Sequence, residues 1–120
     1  MNIEEFYELC LSMKGATEHF PFDDDTLVFK VGGKIFCLTS LKSWEKETPS
    51  INLKCDPERA VELRATFQGI QPGFHMNKVH WNTVVLNDDV SGITFVGLLK
   101  HSYDLVFKSL PKKVQLEMGN

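Results

Sequence analysis

The chain has 120 residues, 42% of them hydrophobic and 24% charged, and its 13 Lys+Arg against 16 Asp+Glu give a net charge of −3. That length suits one domain, and folding then buries roughly 65% of the unfolded chain's surface, so the core needs no disulfide or metal staple. The composition excludes a disordered or collagen-like chain, and the charge balance argues against a strongly basic clamp on nucleic acid.

Ile3, Phe6, Cys10 and Met13 recur at helical spacing, which predicts a first helix with one apolar face. Asn2 suits its start, with Glu5 completing a capping box, and Gly15 suits its left-handed stop. Thr26 to Val31 and Lys34 to Thr39 flank Gly32-Gly33, which predicts a hairpin with a two-residue turn. Simple alternation then sets Val31 opposite Lys34, Phe29 opposite Phe36 and Leu27 opposite Leu38 on a core face. Val28, Lys30, Ile35 and Cys37 fall on the other. Ser50 to Cys55 alternates as a third strand, with Ile51, Leu53 and Cys55 inward.

Asp56-Pro57 is a strong helix start, and Ala60, Leu63 and Phe67 give that second helix a short apolar stripe ending near Gly69. Gln71-Pro72-Gly73 turns the chain into an expected short strand at Phe74 to Asn77, and Trp81 to Leu86 makes a fifth. Ser91 caps a last helix carrying Ile93, Val96, Leu99, Tyr103, Val106 and Leu110, and Pro111 stops it. The expected fold is α+β, a two-layer domain spanning 1–120. It has a five-stranded antiparallel sheet with helices on one face, in the order α-β(3)-α-β(2)-α, and 114–120 is expected to fray.

No apolar run approaches the about 20 residues that cross a bilayer, so no membrane contact is expected. The N-terminus lacks the pattern of a signal peptide. Cys10, Cys37 and Cys55 are an odd, scattered set with no CxxC spacing, which reads as reduced core thiols in a cytoplasmic protein.

Three constellations could carry chemistry. Asp23-Asp24-Asp25 projects its carboxylates in different directions, unlike the alternating ligands of a calcium loop, so a solvated loop is expected and no metal site. His19, His75, His80 and His101 form no HExxH pattern. His101, Ser102 and Asp104 are too close along a helix to face one another as a nucleophile and its base. No catalytic residue and no cofactor are expected, and the chain reads as no enzyme. The third stretch, Pro72 to Asn82, crowds two imidazoles, two amides, an ammonium and an indole between strands. Trp81 as core filler and Asn77 as a turn residue explain it structurally, but near Lys54 and Lys30 it could form a donor-rich patch for an anion or a single strand.

Charge is unevenly placed. Residues 1–26 hold seven acids against Lys14, net −6, and residues 27–120 hold twelve bases against nine acids, net +3. A mildly basic body suits weak, salt-sensitive contact with a polyanion.

Phe20-Pro21-Phe22 with its acidic loop, Lys34-Ile35-Phe36, Asn52-Leu53-Lys54-Cys55-Asp56-Pro57, Pro72-Gly73-Phe74-His75-Met76-Asn77-Lys78-Val79-His80-Trp81-Asn82 and Ser102-Tyr103-Asp104-Leu105-Val106 resemble the MmcQ/YjbR family of small bacterial proteins. The resemblance covers nearly the whole chain, and the HMNK-x-HW stretch is its most specific part. It implies a two-layer α-β(3)-α-β(2)-α domain similar to frataxin-like and secretion-chaperone-like folds. It also implies DNA binding, a label that rests on likeness of fold to a double-winged arrangement. The family motif positions here are Lys34, Lys54, His75, Asn77, Lys78, His80 and Trp81, with Phe74 where relatives often carry Tyr.

The expected function is therefore a non-enzymatic binding module, a monomer that contacts DNA weakly through these seven residues. One alternative is a protein-interaction or chaperone-like module using an exposed apolar face at Val28, Ile35 and Cys37. Another is a small-anion binder or enzyme centred on His75 and His80.

Overall fold

Asn2 starts the first helix, α1 (Ile3–Leu11): its side chain accepts from the Glu5 N–H at 2.8 Å, and the Glu5 carboxylate takes the Asn2 N–H at 3.0 Å. Two donors that a helix start leaves orphaned are thus satisfied reciprocally. The computed structural model describes residues 1–118. After α1 come the strands β1 (Ala16–His19), β2 (Thr26–Val31) and β3 (Lys34–Ser40), a 3₁₀ turn at Leu41–Glu45, and β4 (Ser50–Lys54). Then follow helix α2 (Pro57–Thr66), strands β5 (Ile70–Pro72) and β6 (Trp81–Val85), and helices α3 (Gly92–Ser109) and α4 (Lys112–Glu117).

The architecture is α+β, as expected, but the antiparallel sheet has six strands rather than five, in the order β1-β2-β3-β4-β6-β5. Phe6 and Cys10 of α1 and Phe95, Leu98, Leu99 and Val106 of α3 close over Leu27, Phe29, Val31, Phe36, Cys37, Ile51, Leu53 and Val84 of the sheet. Full burial of each large apolar side chain in this layer contributes about 1.5–3 kcal/mol. The caps at Asp56 and Ser91 form as expected, each side chain accepting from the backbone three residues on. Gly32 and Gly33 are both left-handed, at φ 58° and 80°, as a type I′ turn requires.

Four expectations about local structure are corrected. β1 was not anticipated because its sequence, Ala-Thr-Glu-His, has no apolar alternation: it is an edge strand with two exposed residues in four. The expected strand at Phe74 to Asn77 is a turn. The ladder runs earlier, at Ile70–Pro72, and the Asn77 side chain accepts from the N–H groups of Val79 and His80, a local alternative that competes with strand pairing. Part of the tail expected to fray is ordered: Pro111 stops α3 but opens α4, and Val114 and Met118 pack on the core; residues 119 and 120 lie outside the described residues.

The hairpin register is the fourth. Val31 pairs with Lys34 as expected, but Phe29 pairs with Cys37 and Leu27 with Thr39, because a bulge inserts Phe36 between the pairs Lys30–Ile35 and Phe29–Cys37. One extra residue returns both Phe36 and Cys37 to the core and sends Leu38 to the opposite face. The bulge interrupts the ladder where Phe36 and Lys54 would meet. There Ser102 of α3 bridges the gap, accepting from the Lys54 N–H at 2.9 Å and donating to the Phe36 carbonyl at 2.5 Å. The apolar outer patch expected from Val28, Ile35 and Cys37 therefore does not exist as such: Cys37 faces the core, Val28 is fully buried and Ile35 half-buried. The three cysteines are free and buried, as expected.

A candidate ligand cleft on the outer face

One rank of residues crosses the whole sheet on the face away from α1 and α3: His19, Val28, Leu38, Asn52, Thr83 and Gln71, each the partner of the next. Strand alternation puts Thr26, Ser40 and Ser50 in a rank on one side of it and Lys30, Lys54 and Trp81 on the other, about 7 Å away along the strands. Over the centre of this face lies a cleft of about 440 Å³, with Leu38, Asn52 and Thr83 in its floor and Phe22, Phe74, His75 and Met76 around its walls.

The wall is pinned by the floor. Asn52 donates to the Phe74 carbonyl at 3.1 Å, Thr83 accepts from the Phe74 N–H at 2.9 Å, and Thr83 donates to Asn52 at 2.5 Å. Two neighbouring side chains thus hold both backbone polar groups of Phe74, as a further strand would. His75 follows in the left-handed region at φ 59°, a conformation that costs a residue with a Cβ roughly 1–2 kcal/mol. Its ring lies 4.1 Å, centroid to centroid, from that of Phe74. Phe74 is 67% exposed and Phe22, across the cleft, 66%.

The rest of the Pro72 to Asn82 stretch supports this wall. Lys78 folds back to donate to the Gly73 carbonyl at 2.9 Å, so its ammonium serves the turn. Arg64 of α2 clamps the return. Its Nε donates to Asn82 at 2.6 Å, and its Nη2 donates to the Trp81 carbonyl at 3.2 Å and to the Lys78 carbonyl. Asn82 is 2% exposed.

The seven residues singled out in the sequence therefore part company. Lys54 and Trp81 are direct cross-strand partners on the outer face, and His75 lines the cleft. Asn77 and Lys78 hold the turn. His80 is exposed and contributes its carbonyl to the Cys55 N–H at 2.8 Å rather than its ring to the cleft. Lys34 stands at the hairpin turn, beside Gly33, and does not line the cleft.

Phe22, Asn52, Thr83 and Arg64 were not singled out. Outward alternation marks Asn52 and Thr83 as surface positions, but nothing in a sequence says that they meet. His101 is likewise structural: it accepts from the Asp56 N–H at 3.1 Å, and burial, aided by Arg59, holds its imidazole below the usual range.

The acidic loop borders the Phe22 wall. Asp23 accepts from the N–H groups of Thr26 and Asp25, which hold its carboxyl below the usual range, and Asp25 accepts from Ser40 and from the Lys42 N–H. These carboxylates shape the loop. Among the described residues no three His, Cys, Asp or Glu side chains gather as metal ligands. No helix among them is long and apolar enough to cross a membrane.

A second cleft, about 370 Å³, lies on the helix side of the same loop between α1 and the sheet. Ile3, Leu27 and Leu41 give it apolar walls, and Glu4, Glu8 and Glu18 line it with no lysine or arginine. Tyr7 donates to Glu18 there, which pushes the phenol up.

A family model described as YjbR matches residues 11–105. Uncharacterized protein YbdF of Escherichia coli O157:H7 is 37% identical over 110 residues, covering 92% of this chain and 80% of that protein. Uncharacterized protein YjbR of E. coli K12 is 30% identical over 113 residues, covering 94% and 93%. The crystal structure of a Deinococcus radiodurans protein with a DUF419 domain superposes with a TM-score of 0.88 at 39% identity, over 98% of this chain and 88% of that one. A Pseudomonas syringae crystal structure gives 0.74 at 28% identity, over 88% and 99%.

Proposed function

The chain belongs to the YjbR family, and from that premise we propose that it is a non-enzymatic binding module that takes nucleic acid weakly across the outer face of its sheet. One observation carries the reading: a single face holds two exposed rings, Phe22 and Phe74, around an open cleft, and in the next rank Lys30 and Lys54. Rings beside ammonium groups combine stacking with phosphate neutralisation. The absence of catalysis in this reading is supported by the histidines. His75 and His80 do not share the cleft, and His101 is occupied by Asp56.

Titration of labelled DNA by fluorescence anisotropy at several salt concentrations tests it. Two phosphate contacts, at Lys30 and Lys54, should give a slope of log affinity on log salt of about −1.4 to −1.8. Lys54→Glu should weaken binding about tenfold at low salt. No binding at low salt, or indifference to Lys54→Glu, removes the proposal.

A second reading, protein interaction, is favoured by the helix-side cleft, whose apolar walls and three lining carboxylates suit a basic side chain with an aliphatic stem. Its test is NMR shift mapping with an alternating Lys-Leu peptide against the matching Glu-Leu peptide. Equal or absent shifts at Ile3 and Tyr7 end it.

A further inference from the structure

We infer that the outer-face cleft takes one unstacked base of a single strand and does not read its edge, an inference that rests on the nucleic-acid reading above. Three observations converge on it.

The first is that most of the floor's hydrogen-bonding side chains are engaged with the protein itself. Asn52 and Thr83 bond each other and the Phe74 backbone, Ser40 donates to Asp25, and Thr39 donates to the Ser50 carbonyl while accepting from Trp44. A base edge entering such a floor finds few partners, and a site with few directed donors and acceptors has little with which to tell one base from another.

The second is the exposure of the rings. Phe22 and Phe74 present flat faces at 66% and 67% exposure on opposite walls. Every base has a π-face that such rings can cover. In a duplex those faces are already covered by neighbouring pairs, so only a single strand can offer one without first unstacking.

The third is the charge to either side. Lys54 lies one rank, about 7 Å along its strand, from Asn52 in the cleft floor, and Lys30 stands in the same rank two strands away, both on the side where the backbone of a base held there would pass. Asp23, Asp24 and Asp25 follow Phe22 on the other side and oppose phosphate. The strand's backbone therefore passes on the lysine side and touches the protein over a short footprint.

The test is anisotropy with labelled dT, dA and dC homopolymers and a mixed-sequence duplex, on the unmodified chain and on Phe74→Ala and Phe22→Ala. Both rings are largely exposed, so both variants should fold, which circular dichroism checks. The expected result is that single strands bind at least about tenfold more tightly than duplex and that the homopolymers fall within about fivefold of one another. Each variant should weaken single-strand binding by about five- to 100-fold, the range for loss of one stacking contact, and leave any duplex binding unchanged. Duplex binding equal to single strand, or no effect of either variant, overturns the inference and leaves the broader nucleic-acid reading standing. A preference for one base beyond about 30-fold overturns the unread edge. Failure of every probe at low salt overturns both readings together.

Discussion

The guanidinium of Arg64 meets the side chain of Asn82 at 2.6 Å, joining the last turns of α2 to the buried face of β6. Asn82 also donates to the Ala60 carbonyl at 3.5 Å, so the pair closes a small polar island under the sheet. Arg64→Ala strands the Asn82 amide oxygen and the Lys78 carbonyl and leaves the Trp81 carbonyl to the Gly73 N–H alone, and should destabilise the fold by about 2–4 kcal/mol in urea unfolding. Arg64→Lys should restore little of it, because one ammonium cannot reproduce the fork that spans three acceptors. A lysine variant as stable as the parent would contradict the clamp.

Ser102 replaces a missing rung of the sheet. Its hydroxyl serves the Lys54 N–H and the Phe36 carbonyl together, in a fully buried setting. Ser102→Ala should cost about 2–3 kcal/mol and speed amide exchange at Lys54 selectively. Ser102→Cys, which keeps a weak donor, should fall between. Unchanged exchange at Lys54 in the alanine variant would show that the serine does not hold the strand end.

Gly73 admits no side chain. A Cβ there would stand 2.7 Å from the Trp81 Cβ and 2.9 Å from its carbonyl oxygen, and the Gly73 N–H donates to that oxygen at 2.8 Å. Gly73→Ala must push the turn off β6, at about 1–3 kcal/mol. It should move Phe74 and His75 away from Asn52 and Thr83 and weaken ligand binding at the outer face with the lysines untouched. Amide shifts confined to residue 73 itself, with binding unchanged, would dispose of this prediction.

Stability should fall in acid. Backbone N–H groups of Thr26 and Asp25 hold the Asp23 carboxyl below its ordinary range, and those of Gly69 and Gln68 do the same for Asp89. Folded pKa values below the unfolded ones mean that the stabilisation is present above the unfolded value, about 3.9. It is lost as pH falls through the folded values. His101 acts in the same direction nearer neutrality: its lowered pKa favours the folded state above about 6.5 and counts against it below. Thermal melts from pH 7 to pH 2 should therefore show two declines. Asp89→Asn should flatten only the acid one, and His101→Gln only the one near pH 6. A single decline shared by both variants would refute the assignment.

The layers were readable because their signals are local. Capping at Asn2 and Asp56, the paired glycines at 32 and 33, and the helical spacing through α3 each need only a short window. What escaped depends on partners far along the chain. The bulge at Phe36 is compensated by Ser102, 66 residues away, and no period of two can announce an inserted residue. The cleft was half visible: the crowded Pro72 to Asn82 stretch pointed to it through His75. Its polar groups proved to be occupied within the turn, while the wall on the far side comes from Phe22 and the floor from Asn52 and Thr83. Exposure of a phenylalanine and a contact across 22 residues, as between Asn52 and Phe74, are tertiary facts.

Phe20 lines the helix-side cleft and Phe22 the outer one, with only Pro21 between them. The two cavities are thus joined by three residues of covalent chain rather than through the packed layer that separates them. Proline restrains both its own φ and the residue before it, so few soft torsions separate the two rings. Pro21→Gly would loosen that link while leaving each set of walls in place.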